Sequence, residues 1–216
     1  MRWNRSRGLS LALLACLLCI GGRAMAIEEP AFKVDVHDGD FEVRTYGPRI
    51  VAETVVPGSL NEASNAGFRR VAGYIFGRNR LREGGSASIA MTAPVTVSQS
   101  TKIEMTAPVT TKPENDGYRL QFVMPAQYTM ATLPIPLDPT VHLSERPAAT
   151  FAVIRFSGFC GESKVAQRTA ALQAWIRQHR YTPIGIAELA RYDPPWQLPF
   201  WRRNEILIPI APPATK

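Results

Sequence analysis

Ile89-Ala90-Met91-Thr92-Ala93-Pro94-Val95 returns 14 residues later as Ile103-Glu104-Met105-Thr106-Ala107-Pro108-Val109, and this doubled phrase sets the expected fold. In each copy Ile, Met, Ala and Val fall at alternate positions, a period of two that sends their side chains to one face of a β-strand. The short polar link Ser98-Gln99-Ser100-Thr101 predicts a hairpin, with Ile89, Met91, Ile103 and Met105 on one shared face. Each copy ends near a proline, which offers no N–H to a central ladder, so pairing is expected to bend or stop at Pro94 and Pro108. The expected result is a curved sheet, one wall of a barrel.

Upstream, Phe32 to Val36, Phe41 to Tyr46 and Arg49 to Val56 are β-rich and are separated by the turn signals Asp38-Gly39 and Gly47-Pro48. Ser59 then starts a helix. Glu62, three residues on, completes a capping box, and Gly77 supplies the stop. Leu60, Ala63, Gly67, Val71 and Tyr74 share the face expected to pack on the sheet. Asn65, Arg69, Ala72 and Phe76 line another face, readable either as the wall of a partly open pocket or as an ordinary solvated surface.

Downstream, Tyr118, Leu120, Phe122 and Met124 alternate on a further strand, and the proline-rich stretch 126–149 reads as an excursion with short structure at most. Phe151 to Phe156 is a strand, and Ser163 to Gln178 a helix carried by Val165, Thr169, Leu172 and Ile176. Strand, helix, strand, strand thus occurs twice, over Arg49 to Val109 and over Phe151 to Ile210. The fold class expected is α+β: duplicated βαββ units about a pseudo-twofold axis, forming a curved antiparallel sheet or open barrel flanked by two helices.

Residues 1–26 read as a signal peptide. Arg2, Arg5 and Arg7 precede the apolar run Leu9 to Ile20, and Ala24-Met25-Ala26 fits signal peptidase cleavage. A retained anchor and a lipoprotein processed at Cys16 are the alternatives. Cleavage leaves residues 27–216 as one domain, expected to be a periplasmic or secreted monomer with no stable membrane insertion. Losing four of the 25 basic residues leaves 21 against 18 acidic, a net charge of +3, which calls for no nucleic-acid partner. Cys160 is then the one thiol, without an internal disulfide partner, and no Cys-x-x-Cys-His is present for covalent haem attachment.

The densest aromatic cluster is Tyr192, Trp196, Phe200 and Trp201, set among Pro194, Pro195 and Pro199 and followed by Arg202 and Arg203. Such a stiff loop either caps a core or forms the lip of a ligand pocket. Catalytic motifs are missing: no Gly-x-Ser-x-Gly, no His-Glu-x-x-His and no phosphate-cradling glycine loop. A binding module rather than an enzyme is expected, with an enzyme or sensor acting on another small hydrophobic ligand in the same cavity as the alternative.

Four stretches in order, Phe41-Glu42-Val43-Arg44-Thr45-Tyr46-Gly47, the Met-Thr-Ala-Pro-Val phrase, Phe156-Ser157-Gly158 and Arg202-Arg203-Asn204-Glu205, resemble the SOUL family of haem-binding proteins. The resemblance runs from about Phe32 to Ile210. It implies non-covalent binding of haem or a related tetrapyrrole against the first helix and the late aromatic loop, with basic residues near the propionates. The candidate binding residues are Asn65, Arg69, Ala72, Phe76, Met91, Met105, Trp196, Phe200, Trp201, Arg202 and Arg203. Where some members place His before Tyr-Gly, this chain has Thr45; where others place Arg and Lys on the helix, it has Asn65 and Gly73, with Arg69 or Arg70 as substitutes. The metal ligand is open among His37, His142, His179, Met91 and Met105.

Overall fold

The computed structural model of the chain describes residues 28–99, 117–193 and 196–212. The expected signal peptide, the second copy of the doubled phrase and Met105 lie outside them. In chain order the elements are β1 (Phe32–Asp38), β2 (Phe41–Tyr46), β3 (Arg49–Pro57), α1 (Leu60–Ile75), β4 (Asn79–Arg80), β5 (Val95–Gln99), β6 (Gly117–Val123), β7 (Ile135–Pro136), β8 (His142–Arg146), β9 (Ala149–Phe156), α2 (Glu162–Gln178), β10 (Glu188–Arg191) and β11 (Asn204–Ile210). Nine strands form one curled antiparallel half-barrel in the order β1-β2-β9-β11-β10-β5-β6-β3-β8, and β4 pairs with β7 separately.

That order is nearly a palindrome. Leaving out β1, the two βαββ units, β3-α1-β5-β6 and β9-α2-β10-β11, occupy matching places on either side of the β10–β5 seam. Each unit also hands its preceding strand to the other: β2 pairs with β9, and β8 pairs with β3. The expected duplication is therefore present, with its leading strands exchanged and with β6 (Gly117–Val123), beyond the expected limit of Val109, as the last strand of the first unit.

Strand alternation explains the layering. Ala52, Leu120, Phe122, Ala152, Ile154, Ile206 and Ile208 form one core with Leu60, Val71, Tyr74 and Ile75 of α1 and Leu172, Trp175 and Ile176 of α2. The intervening residues Tyr46, Phe151, Val153, Ala190 and Leu207 form a second, smaller apolar cluster. Helix α1 begins as its sequence dictates: Ser59 caps the Glu62 N–H, and the Glu62 side chain answers to the Ser59 N–H. Gly77 follows the cap at φ +107°.

Gly67 sets the helix-to-sheet distance. A Cβ built there meets the Leu120 Cβ at 3.0 Å, so α1 lies as close to β6 as backbone allows. Gly67→Val is expected to cost about 1–3 kcal/mol by overpacking, measured as a lowered urea midpoint with an unchanged slope.

The hairpin of two phrases is corrected. Residues 89–94 form no strand; β5 begins only at Val95, and its two neighbours are β6 and β10. The Ile89 N–H bonds Ile75 O at the end of α1, the Thr92 hydroxyl donates to Val123 O, and the Ala93 N–H bonds Glu28 O. The phrase is a linker stitched to a helix end, a strand end and a loop, its apolar alternation being satisfied by the core rather than by a ladder. The stretch 126–149 also contains β8, a five-residue edge strand that its charged, aperiodic sequence does not announce. Among the described residues no helix is long and apolar enough to cross a membrane.

Candidate functional site

Residues 192–203 connect β10 to β11, and their backbone bonds close on themselves. The Tyr192 N–H donates to Arg203 O at 3.2 Å, and the Arg203 N–H to the Asp193 carboxylate at 2.5 Å, closing the base of the loop. Pro199–Trp201 makes one 3-10 turn, fixed by Trp201 N to Leu198 O at 3.0 Å and Arg202 N to Pro199 O at 3.1 Å. The Gly158 N–H reaches Pro199 O at 2.9 Å, and the Asn204 amide reaches Gly158 O at 3.0 Å, pinning the loop to the β9–α2 connection.

With the polar groups spent inside the loop, the rings are left outside. Trp196 is 83% exposed, Phe200 63%, Trp201 66% and the neighbouring Phe159 69%. Phe200 and Trp201 meet edge to face at 5.0 Å, and the Arg202 guanidinium lies 5.3 Å from the Phe159 ring centroid. Phe200, Trp201, Arg202 and Arg203 line a depression of about 340 Å³ with Asp40, Arg155, Phe156, Ser157 and Arg168. Phe159 was not foreseen; the available signal was its place directly after the Phe156-Ser157-Gly158 stretch.

The remaining candidates separate. Asn65 and Arg69 are exposed on α1, whereas Ala72 is buried and Phe76 is the 62%-exposed C-cap. The Leu60 N–H bonds Glu162 at 3.3 Å, so the start of α1 touches the start of α2, on the loop's side of the molecule. Phe76 lies 11 residues beyond Asn65, roughly 16 Å farther along the helix axis. The four therefore do not form one open wall: Ala72 is buried, whereas Asn65, Arg69 and Phe76 are exposed. Met91 also packs against the core.

Arg203 is drawn away from the lip into a buried charge network. Its Nε meets Glu205 at 3.0 Å, its Nη1 meets Glu29 at 3.0 Å, and its guanidinium lies 3.8 Å from the Tyr192 ring centroid. Arg44 grips Glu205 through two bonds of 2.7 and 3.1 Å, with Tyr192 Oη donating to the same carboxylate at 2.7 Å. Burial alone would raise the Glu205 carboxyl; the bonds from Arg44 and Tyr192 and the Arg44 and Arg203 charges outweigh it and hold it below the ordinary range. Thr45, at the position where some relatives are expected to carry histidine, donates to Asp35 at 2.6 Å.

Glu188, on the same face of the sheet, behaves oppositely. Burial pushes its carboxyl up against the pull of Arg49 and Arg146. A raised carboxyl contributes its stability at and below the ordinary value of 4.5 and loses it as pH rises through the folded value. Glu188→Gln is thus expected to raise the melting midpoint at pH 7 by about 2–4 °C, with the gain closing near pH 4.5; a constant gain at both pH values would contradict the titration.

None of the histidines lines the depression beside the loop. His37 pairs with Glu42 at 3.2 Å, His142 is exposed at the start of β8, and His179 stacks on Trp175 with centroids 4.2 Å apart. Among the described residues no three His, Cys, Asp or Glu side chains converge as a metal site. Cys160 is part-buried, and burial pushes its thiol up despite Arg191 and Arg202.

The family model described as SOUL heme-binding protein matches residues 27–102 and 96–209, nearly all of this sheet and both helices. The chain belongs to the SOUL family. This SOUL protein is 28% identical over 167 residues to "Heme-binding protein 1" of Xenopus tropicalis, covering 77% of this chain and 81% of that one. It is 26% identical over 192 residues to "Heme-binding protein 2" of Mus musculus, covering 86% and 87%. Among solved structures, a conserved protein from Listeria innocua superposes with TM-score 0.53 at 10% identity over 80% of this chain and 92% of that one. The EcmrR C-terminal domain superposes with TM-score 0.50 at 14% identity over 79% and 96%. Both structural likenesses speak to the fold alone.

Proposed function

We propose that this SOUL protein binds haem or a related tetrapyrrole non-covalently at the aromatic loop, and that its role is binding rather than turnover. The observation that carries the site is the outward set Phe159, Trp196, Phe200 and Trp201, all more than 60% exposed on a hydrogen-bonded loop. A water-facing surface seldom spends four large rings this way unless something flat covers them. A porphyrin offers a flat apolar face of matching kind, and burying it is worth several kcal/mol at about 25 cal/mol per Å². Its carboxylates need cations at the edge: Arg202, between Phe159 and the loop, and Arg155 and Arg168 in the adjoining depression supply them. The names of the curated relatives support the same ligand class.

The residues present fit a macrocycle held by its face and its acidic edge. No axial iron ligand is assigned, since no histidine lines the depression. Titrating haemin into the protein and following the Soret band tests the reading. Saturable one-to-one binding in the micromolar range or tighter is expected, and binding no stronger than to an unrelated protein of similar charge ends it. The sequence also supports export as a soluble monomer after loss of residues 1–26, which N-terminal sequencing starting at Ile27 would bear out.

A further inference from the structure

A second concavity, of about 780 Å³, opens where β3 begins and β6 and β8 end. Its volume falls in the range of small-molecule sites. Ile50, Val123, Met124, Tyr128 and Met130 give it an apolar lining. One wall is the strap 28–31. Glu28 accepts the Ala126 N–H at 2.9 Å while its carbonyl takes the Ala93 N–H, and Glu29 holds Arg203 at the base of the aromatic loop.

The charges around this cavity are not equivalent. Arg146 is committed to Glu53 at 2.6 Å, Glu29 to Arg203, and Glu28 to the Ala126 N–H, while Glu145 is exposed at the rim. Arg49 differs. Its guanidinium lies over the Tyr46 and Phe151 rings at 5.3 and 5.6 Å, and its Nη1 is buried without a hydrogen-bond partner among the described residues. Glu188 acts on it through charge and is itself pushed toward neutrality by burial. Arg49 thus lines an apolar cavity without a hydrogen bond or ion pair among the described residues, and an acceptor from outside the chain can meet its guanidinium.

We propose that this cavity is a second ligand site, distinct from the aromatic loop, for an apolar molecule carrying one carboxylate, with the carboxylate accepting from the Arg49 guanidinium and the apolar body lying against Val123, Met124, Tyr128 and Met130. A fatty acid of medium length has this chemistry. The site needs no metal, and it does not depend on whether the loop takes haem.

Dodecanoate is the probe, titrated calorimetrically into the full protein. Saturable one-to-one binding with a dissociation constant on the order of 1–100 μM is expected. Arg49→Met should weaken it at least tenfold, as should replacing the probe by dodecylamine. Because Arg49 also offsets Glu188, a second variant is needed: Val123→Trp, which fills the cavity from the end of β6 and should abolish binding while urea unfolding stays cooperative. Trp196→Ala should leave dodecanoate binding unchanged. The proposal is overturned by absent or non-saturable heat, by equal binding of dodecylamine, by indifference to both cavity variants, or by haemin displacing dodecanoate competitively, which would make the two sites one.

Discussion

Arg44→Ala is expected to lower the unfolding free energy by about 3–5 kcal/mol, the largest single-residue effect outside the apolar core. Arg44 is 3% exposed and Glu205 is fully buried, so removing the cation strands a carboxylate with only Arg203 and Tyr192 to answer it. Breaking one side of a buried pair costs more than the pair is worth, because the orphaned charge keeps its desolvation penalty. The double variant Arg44→Met/Glu205→Leu should therefore recover much of the loss, and urea unfolding of both proteins measures the difference. A single-variant loss below about 1 kcal/mol would show that Arg203 alone can satisfy Glu205. The pH profile carries the same signature. Glu205 is held below its ordinary value of 4.5, so its contribution is complete above that pH and fades as pH falls through the folded value. The wild-type advantage over the double variant should shrink on the acid side of 4.5 and nowhere above it.

The second large effect is on haem. Removing the rings of Trp196, Phe200 and Trp201 together is expected to weaken haemin binding by about 100-fold or more, at roughly 1–2 kcal/mol of lost contact per ring. Because these rings are already exposed in the free protein, the same triple variant should change unfolding free energy by no more than about 0.5 kcal/mol. That split, affinity without stability, is what a ligand surface predicts and a capped core does not. Arg202 and Arg203 must be tested separately. Arg202→Ala acts at the lip, whereas Arg203→Ala cuts the bonds to Glu29 and Glu205 and lowers stability whatever it does to haem. An affinity within threefold of wild type in the triple variant would move the haem site elsewhere.

Much of the framework is written in local signals. Ser59 and Glu62 announce the start of α1, and Leu60, Ala63, Gly67, Val71 and Tyr74 do become its buried face. Tyr118, Leu120, Phe122 and Met124 do point inward from the end strand of the first unit. The first copy of the doubled phrase misleads because its apolar alternation is real but its backbone partners, Glu28 O and Ile75 O, come from a loop and a helix end. No period reports such partners. β8 is hidden for a related reason: His142-Leu143-Ser144-Glu145-Arg146 mixes charge on both faces, as an edge strand can.

The aromatic loop was legible as a cluster, though its outward turn follows from the Gly158 and Asn204 bonds that consume its polar groups. Arg44 and Glu205 each stand in one of the four quoted stretches, and their opposite charges were the available hint that the two stretches meet through one ion pair. The 780 Å³ cavity was not legible at all, because its lining comes from five separate stretches of chain.

The exchange of leading strands has a consequence for the order in which the chain can be made. The β1–β2 hairpin is the first of the described strand pairs to be synthesised, yet its neighbour is β9, and the contacts that hold it, Trp175 stacked on Phe41 and bonded to Asp38, Phe151 against Tyr46 and Glu205 with Arg44, all belong to the second unit. Likewise β3 waits for β8 along its outer edge. A nascent chain that has reached Met124 thus carries a hairpin with nothing to rest on and a sheet edge still open, the kind of surface that pairs with the wrong strand. Neither unit can be finished first. Folding becomes a late event for the whole chain, and the price of the interlocked sheet is a long exposed interval before it closes.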